Sequence, residues 1–175
     1  MSMVAVLALG LLSLANTVLL LGIARRLAAG APDPGPPSPD PHPVPGTKVR
    51  PFTAVTTDGE PIGRDRLTGH LLVGFFAQGC PMCDDSVATF VRLAQAQDGG
   101  RDRVLAVVVG RPETATSYVE RLAGAALVLT EPFDGPLCAA FDVDGFPAFL
   151  RLAGPVVLAA TVKIEAFAAQ HAGRE

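Results

Sequence analysis

The chain has 175 residues, a formal net charge of −3 and a pI near 5.6. That length suits one domain plus an appendage, and the acidic balance argues against a nucleic-acid partner. Three cysteines leave one over once two have paired. A lone redox pair occurs on either side of a membrane, so the cysteine count does not fix the compartment.

Met1 to Ala24 carries no charged side chain and is rich in Leu, Val and Ala. Roughly 20 apolar residues span a bilayer core as a helix, so residues 1–26 are read as a single-pass transmembrane anchor. A cleaved signal peptide needs a positive n-region, which is missing, although Leu27 to Ala31 offers small residues for cleavage. Arg25 and Arg26 follow the span. Taken alone, the positive-inside rule places the C-terminal side in the cytoplasm. Residues 27–47 form a linker, with proline at 32, 34, 36, 37, 39, 41, 43 and 45. Such a stretch favours polyproline II and, at about 3.1 Å per residue, reaches roughly 50 Å. His42 within it is expected to be solvated.

The folded domain is expected over 48–175. Phe52 to Thr57 alternates like a strand, and Asp58-Gly59 signals a hairpin. Gly63 to Thr68 reads as a short helical turn. Leu71 to Phe76 is a continuous apolar run, the mark of a buried strand. Val87, Phe90, Val91 and Ala94 then recur at the spacing of one helix face, and that helix ends near Asp98-Gly99-Gly100. Further strands are expected at Arg103–Val109, Ala126–Thr130, Phe146–Leu152 and Val156–Ala160. Helices are expected at Pro112–Ala123, Gly135–Phe141 and Ile164–His171. Strands alternating with helices predict an α/β domain, a mixed central sheet flanked by helices on both faces.

Cys80-Pro81-Met82-Cys83 falls where the buried strand hands over to the helix. Cys80 occupies the N-cap region and Pro81 the first helical position, where a missing N–H costs nothing. The free N–H groups and partial positive charge of a helix N-terminus favour a thiolate, the attacking species in disulfide exchange. Cys83, one turn on, can close a disulfide with Cys80. The chemistry then divides, with Cys80 as the exposed nucleophile and Cys83 as the resolving thiol. CxxC spacing also serves zinc, and Cys80, Cys83, Cys138 and His70 are the residues that would hold it. A single CxxC with proline at the helix start favours redox use.

This order of elements, with Gly145-Phe146-Pro147 opening a late strand before a hairpin and a final helix, resembles the thioredoxin fold. The resemblance implies that Pro147 is the cis-proline beside the CxxC pair. It also implies that the backbone of Phe146 pairs with an incoming substrate strand, so that Phe146 and Pro147 form the substrate-binding platform. The stretch Pro51 to Ile62 is similar to the start of membrane-tethered TlpA/ResA domains. The anchor ending Leu20-Leu21-Gly22-Ile23-Ala24-Arg25-Arg26-Leu27, with Cys-Pro-x-Cys downstream, is similar to MauD-type proteins, accessory factors for methylamine dehydrogenase maturation. Together these imply a cell-membrane protein whose domain lies outside the cytoplasm. Its partners are protein thiol or disulfide substrates and a redox partner protein, with no metal and no organic cofactor. The direction of exchange stays open.

Three positions depart from the family pattern. Gly79 stands where a tryptophan usually precedes the first cysteine. Gly74 stands where classical thioredoxins carry a buried acid, and Ser86 where ResA-like proteins carry a glutamate. Asp84 and Asp85 are then the nearest candidates to accept the Cys83 proton, although acids at a helix start are commonly dipole partners. The same departures suit an alternative reading, a redox-inactive binding or assembly module for a membrane or exported client. Cys138 is expected to be a buried small hydrophobe, with a third redox partner as the sharper possibility. His70 and His171 are expected at a strand start and in a solvated last turn.

Overall fold

The structure is a computed structural model that describes residues 42–172 and, nearer the N-terminus, Met3, Gly10, Leu12, Ser13, Asn16 and Thr17 in helical conformation. Most of the expected anchor (1–26) and most of the expected linker (27–47) lie outside the described residues. Among the described residues no helix is long and apolar enough to cross a membrane.

The expected α/β domain is present. Seven strands are described: β1 (Thr53–Val55), β2 (Pro61–Gly63), β3 (His70–Ala77), β4 (Val104–Val109), β5 (Leu127–Glu131), β6 (Ala148–Ala153) and β7 (Val156–Thr161). Four helices accompany them: α1 (Pro81–Gln95), α2 (Pro112–Leu122), α3 (Pro136–Phe141) and α4 (Glu165–Ala172). Five strands form one sheet in the order β5-β4-β3-β6-β7. β3, β4 and β5 run parallel, and β6 and β7 are antiparallel to their neighbours. Strands β1 and β2 pair separately as a short hairpin. The expected strand over 52–57 therefore shrinks to its centre, and the turn at Asp58-Gly59 closes with the Gly59 N–H donating to Thr56 O at 2.9 Å.

The continuous apolar run of β3 reflects its central place, because a strand covered on both faces has no polar side. Leu71, Val73 and Phe75 join one core cluster, with Val107, Leu129, Leu137, Cys138 and Phe141. Leu72 and Phe76 join the other, with Cys83, Val87, Phe90, Tyr118, Phe149 and Phe167. Thus α1, α2 and α4 cover one face, and α3 covers the other. In the first of these layers the Phe76, Phe90 and Phe149 rings meet at centroid distances of 5.2, 5.7 and 6.0 Å. Gly74 makes that possible: a Cβ there would lie 2.7 Å from the Phe90 ring and 2.9 Å from the Phe76 ring.

His42 is not solvated as the sequence suggests; it is buried, with 8% exposure. The reason lies just beyond it. Gly46 turns the chain with φ +95°, and its N–H donates to Val157 O at 2.8 Å. Val157 N–H in turn donates to Thr47 O at 2.9 Å, and Lys48 bridges to Val156. The edge of β7 supplies the hydrogen-bond partners that a proline-rich stretch cannot supply for itself.

Candidate active site

The sheet delivers the motif at the C-terminal end of its central strand. After Ala77 the chain leaves β3 through Gln78 and Gly79, the latter at φ +74° with open space around it. Left-handed backbone favours glycine, which accounts for glycine at this position. Cys80 is the N-cap of α1, in extended conformation, and Pro81 opens the helix. The amides of Cys83 and Asp84 donate to Cys80 O at 3.0 and 3.2 Å. The Cys83 N–H also reaches Cys80 Sγ at 3.2 Å. A helix N-terminus leaves its first amides without intrahelical partners, and here one of them serves a sulfur.

Cys80 and Cys83 are paired as a disulfide, with Cα atoms 5.2 Å apart, inside the usual range for such a bridge. Cys80 is half-buried, whereas Cys83 has 0% exposure. Cys83 Sγ accepts from the Ala77 N–H at 3.5 Å. Across from the motif, the Phe146–Pro147 peptide bond is cis, and Phe146 O lies 3.9 Å from Cys80 Sγ. The structure thus brings the four expected site residues, Cys80, Cys83, Phe146 and Pro147, to one place.

The carboxylate positions read differently. Ring carbons of Phe90 and Phe76 fill the space beside Gly74, so no acid fits there without moving the aromatic layer. The Ser86 hydroxyl donates back to Met82 O at 2.7 Å within its own helix. Asp84 is exposed and pairs with Arg121, Oδ1 to Nη1 at 3.1 Å, while Arg121 Nη2 donates to Asp84 O at 3.1 Å. Arg121 also lies over the Tyr118 ring, 5.8 Å from its centroid. Burial first, and then the neighbouring Asp84, push the Tyr118 hydroxyl up to about 12. Among the described residues, no carboxylate bonds to Cys83.

Two site neighbours were not singled out by the sequence. Gln78 Nε2 donates to Arg111 O at 2.8 Å, and the Arg111 N–H donates to Gln78 Oε1 at 3.0 Å. This two-bond clasp ties the loop bearing Cys80 to the end of β4. Gly110 makes room for it, since a Cβ there would run into the Gln78 side chain. A glycine closing a valine-rich strand is a weak signal, and nothing in the sequence names its partner. The other neighbour is Phe133, whose ring meets that of Phe146 edge-on at 6.5 Å.

Cys138 is buried and unpaired, at 6% exposure. It lies in the core cluster on the face of the sheet opposite Cys83. Burial, followed by Glu131 beside it, holds its thiol far above the ordinary range. Its amide and that of Leu137 donate to the Glu131 carboxylate at 2.8 and 2.7 Å. His70 begins β3, at the other end of the strand from Cys80, and the side chain of His171 is outside the described residues.

No protein-family model matches the chain, and no curated protein matches it in sequence. Solved structures do match. One is a secreted Mycobacterium tuberculosis disulfide oxidoreductase homologous to E. coli DsbE, at 19% identity and TM-score 0.57, covering 70% of this chain and 95% of that one. Another is the thioredoxin domain of a Bacteroides vulgatus thiol-disulfide oxidoreductase, at 14% identity and TM-score 0.58, covering 74% and 98%. A third is a thioredoxin-family thiol:disulfide interchange protein from Chlorobium tepidum, at 22% identity and TM-score 0.54, covering 69% and 88%. Similarity at this level establishes the fold: residues 42–172 adopt a thioredoxin-like α/β architecture.

Proposed function

We propose that this chain is a membrane-tethered thiol–disulfide oxidoreductase of TlpA/ResA type. Residues 1–26 would anchor it, the segment over 27–47 would hold it off the bilayer, and the domain would act outside the cytoplasm on protein thiols. One observation carries the redox reading. A CxxC pair sits at a helix N-terminus with one sulfur half-exposed, the other buried, and a backbone carbonyl 3.9 Å from the outer sulfur. The uncharged stretch from Met1 to Ala24 supports the tether.

In the reducing direction, the Cys80 thiolate attacks one sulfur of a client disulfide. That S–S bond breaks, a mixed disulfide forms, and the first client thiolate leaves. The Cys83 thiolate then attacks Cys80 Sγ and displaces the second client thiolate. The Cys80–Cys83 disulfide remains, and two electrons have passed to the client. A dithiol partner protein must return them. Running the steps backwards oxidises a client dithiol. The Cys83 amide stabilises charge on Cys80 as it develops, and Phe146 O is placed to accept an N–H from an extended client backbone. With no carboxylate bonded to Cys83 among the described residues, its proton passes to solvent before Cys83 attacks.

The test is disulfide exchange by the full-length protein in detergent, using a model protein disulfide and a dithiol. Wild type turns over, Cys80→Ser does not, and Cys83→Ser accumulates the mixed disulfide. Full activity in Cys80→Ser refutes the redox reading and favours the binding-module alternative. Protease digestion of the C-terminal domain in right-side-out vesicles tests orientation. Protection there places the domain in the cytoplasm, against the proposal.

A further inference from the structure

Among the described residues Phe133 is the one phenylalanine or tyrosine that is exposed, at 56%. It stands on the short loop between β5 and α3, and its ring packs edge-on against Phe146 at 6.5 Å. Phe146 itself is only partly buried, and its carbonyl lies 3.9 Å from Cys80 Sγ. Met82, two residues after Cys80, is 55% exposed. A ledge of exposed apolar surface therefore adjoins the outer sulfur. An exposed patch of this kind is informative in a way that a scattered exposed leucine is not.

The ledge also carries charge. Asp134 follows Phe133, and Asp144 lies two residues before Phe146; both are exposed. Neither is in an ion pair among the described residues. The two rings that pack against each other next to the sulfur thus each have an exposed carboxylate within two residues along the chain.

We propose that Phe133, with Phe146, selects the client: the ledge takes a bulky apolar side chain next to the client cysteine, and Asp134 with Asp144 favours a lysine or arginine beside it. The occupant is an extended, cationic segment of a client protein. Apolar burial supplies the holding energy, and opposite charge supplies approach and register. Phe133 acts here as a specificity-determining residue and has no part in the chemistry of exchange. The inference rests on the redox reading above.

The experiment uses full-length oxidised protein and short cysteine peptides. The peptide thiolate attacks Cys80 Sγ and Cys83 leaves; a second peptide thiol then releases the first as a peptide disulfide, and the protein is reduced. Peptides with leucine or serine before the cysteine and arginine or glutamate after it are compared in all four combinations. Each rate is divided by that peptide's rate with hydroxyethyl disulfide, which removes differences in thiol reactivity. 2-Mercaptoethanol serves as the small thiol. Wild type should prefer the Leu/Arg peptide by about tenfold, the ratio that about 1.4 kcal/mol supplies. Phe133→Ser should erase the preference for leucine. The double substitution Asp134→Asn with Asp144→Asn should erase the preference for arginine together with its salt dependence. Asparagine is tolerated at 134, where φ is +61°. If 2-mercaptoethanol reacts but the peptides differ by less than about twofold, the ledge is no specificity site and the redox reading stands. The same conclusion follows if Phe133→Ser keeps the full leucine preference. If 2-mercaptoethanol does not react either, both proposals fall.

Discussion

Two helices of this chain start alike and treat their cysteines in opposite ways. Both α1 and α3 follow a strand of the main sheet, open with proline and carry cysteine at the third position, Cys83 and Cys138. In α1 the N-cap is Cys80, and its sulfur takes the Cys83 N–H. In α3 the N-cap is Gly135, which has no side chain to offer. Glu131 reaches in from the end of β5 and takes the N–H groups of both Leu137 and Cys138. Gly135 is what admits it, since a Cβ there would collide with the carboxylate. So the same helix terminus can present its donors to a sulfur or spend them on a carboxylate. In the second case the cysteine is left beside a negative charge, buried and hard to ionise. Reactivity therefore follows who occupies the N-cap, more than where the cysteine falls along the helix.

The largest expected effect comes from exchanging the roles. Cys80→Ser should abolish disulfide exchange, and Cys138→Ala should leave the rate unchanged; paired turnover assays check both. A loss of exchange in Cys138→Ala would break the comparison.

Glu131→Gln comes next. One buried N–H loses a charged acceptor, at a cost of about 1–3 kcal/mol, measurable by urea unfolding. The Cys138 thiol should fall towards its ordinary range and be alkylated faster in the native protein.

The pH dependence sharpens the same contrast. The Cys138 thiol titrates higher folded than unfolded, so its contribution to stability is fully present below the ordinary thiol range and is lost as pH rises through and above it. Tyr118, raised from 10.0 to about 12 by burial and then by Asp84, adds its own loss only above pH 10. Each group whose proton is held in the folded state alone costs about 1.4 kcal/mol per pH unit. Thermal melts should therefore show a fall from about pH 9 that Cys138→Ala flattens, and a further fall above 10 that Tyr118→Phe reduces. A flat profile in wild type contradicts the assignment.

Gln78→Ala should weaken the clasp on the Cys80 loop. Two hydrogen bonds of about 1 kcal/mol each are at stake, seen as a lower Tm and as faster amide exchange at Arg111. The smallest effect belongs to Asp84→Asn. Its ion pair with Arg121 is exposed, and such pairs contribute about 0–1 kcal/mol. Its pH–rate profile should overlay that of wild type; a displaced profile would make Asp84 part of the proton pathway.

Much of the architecture was legible because the chain states it locally. The uninterrupted apolar run at Leu71 to Phe76, the helical spacing from Val87 to Ala94 and the proline starts of α1 and α3 each name their element. The meeting of Cys80, Cys83, Phe146 and Pro147 was legible because they lie in compact motifs. What stayed hidden were contacts between distant segments. Nothing near Gln78 announces Arg111, and nothing near Glu131 announces an amide cap six residues on. Phe133 looks like an ordinary loop residue until Phe146 is found against it. His42 was misread because the proline count around it describes a free chain, whereas Gly46 and Thr47 bind the edge of β7. The packing of Phe90 against Gly74 likewise explains an absent acid that the sequence could only note.

The most direct test of the central claim is a redox titration of the full-length protein against a glutathione series, read by thiol-specific mass labelling at each cysteine. The account predicts a single two-electron transition between about −270 and −120 mV, confined to Cys80 and Cys83, with Cys138 unlabelled in the folded state throughout. A Cys80–Cys83 pair that fails to exchange at any ratio, or a transition that draws in Cys138, would contradict it.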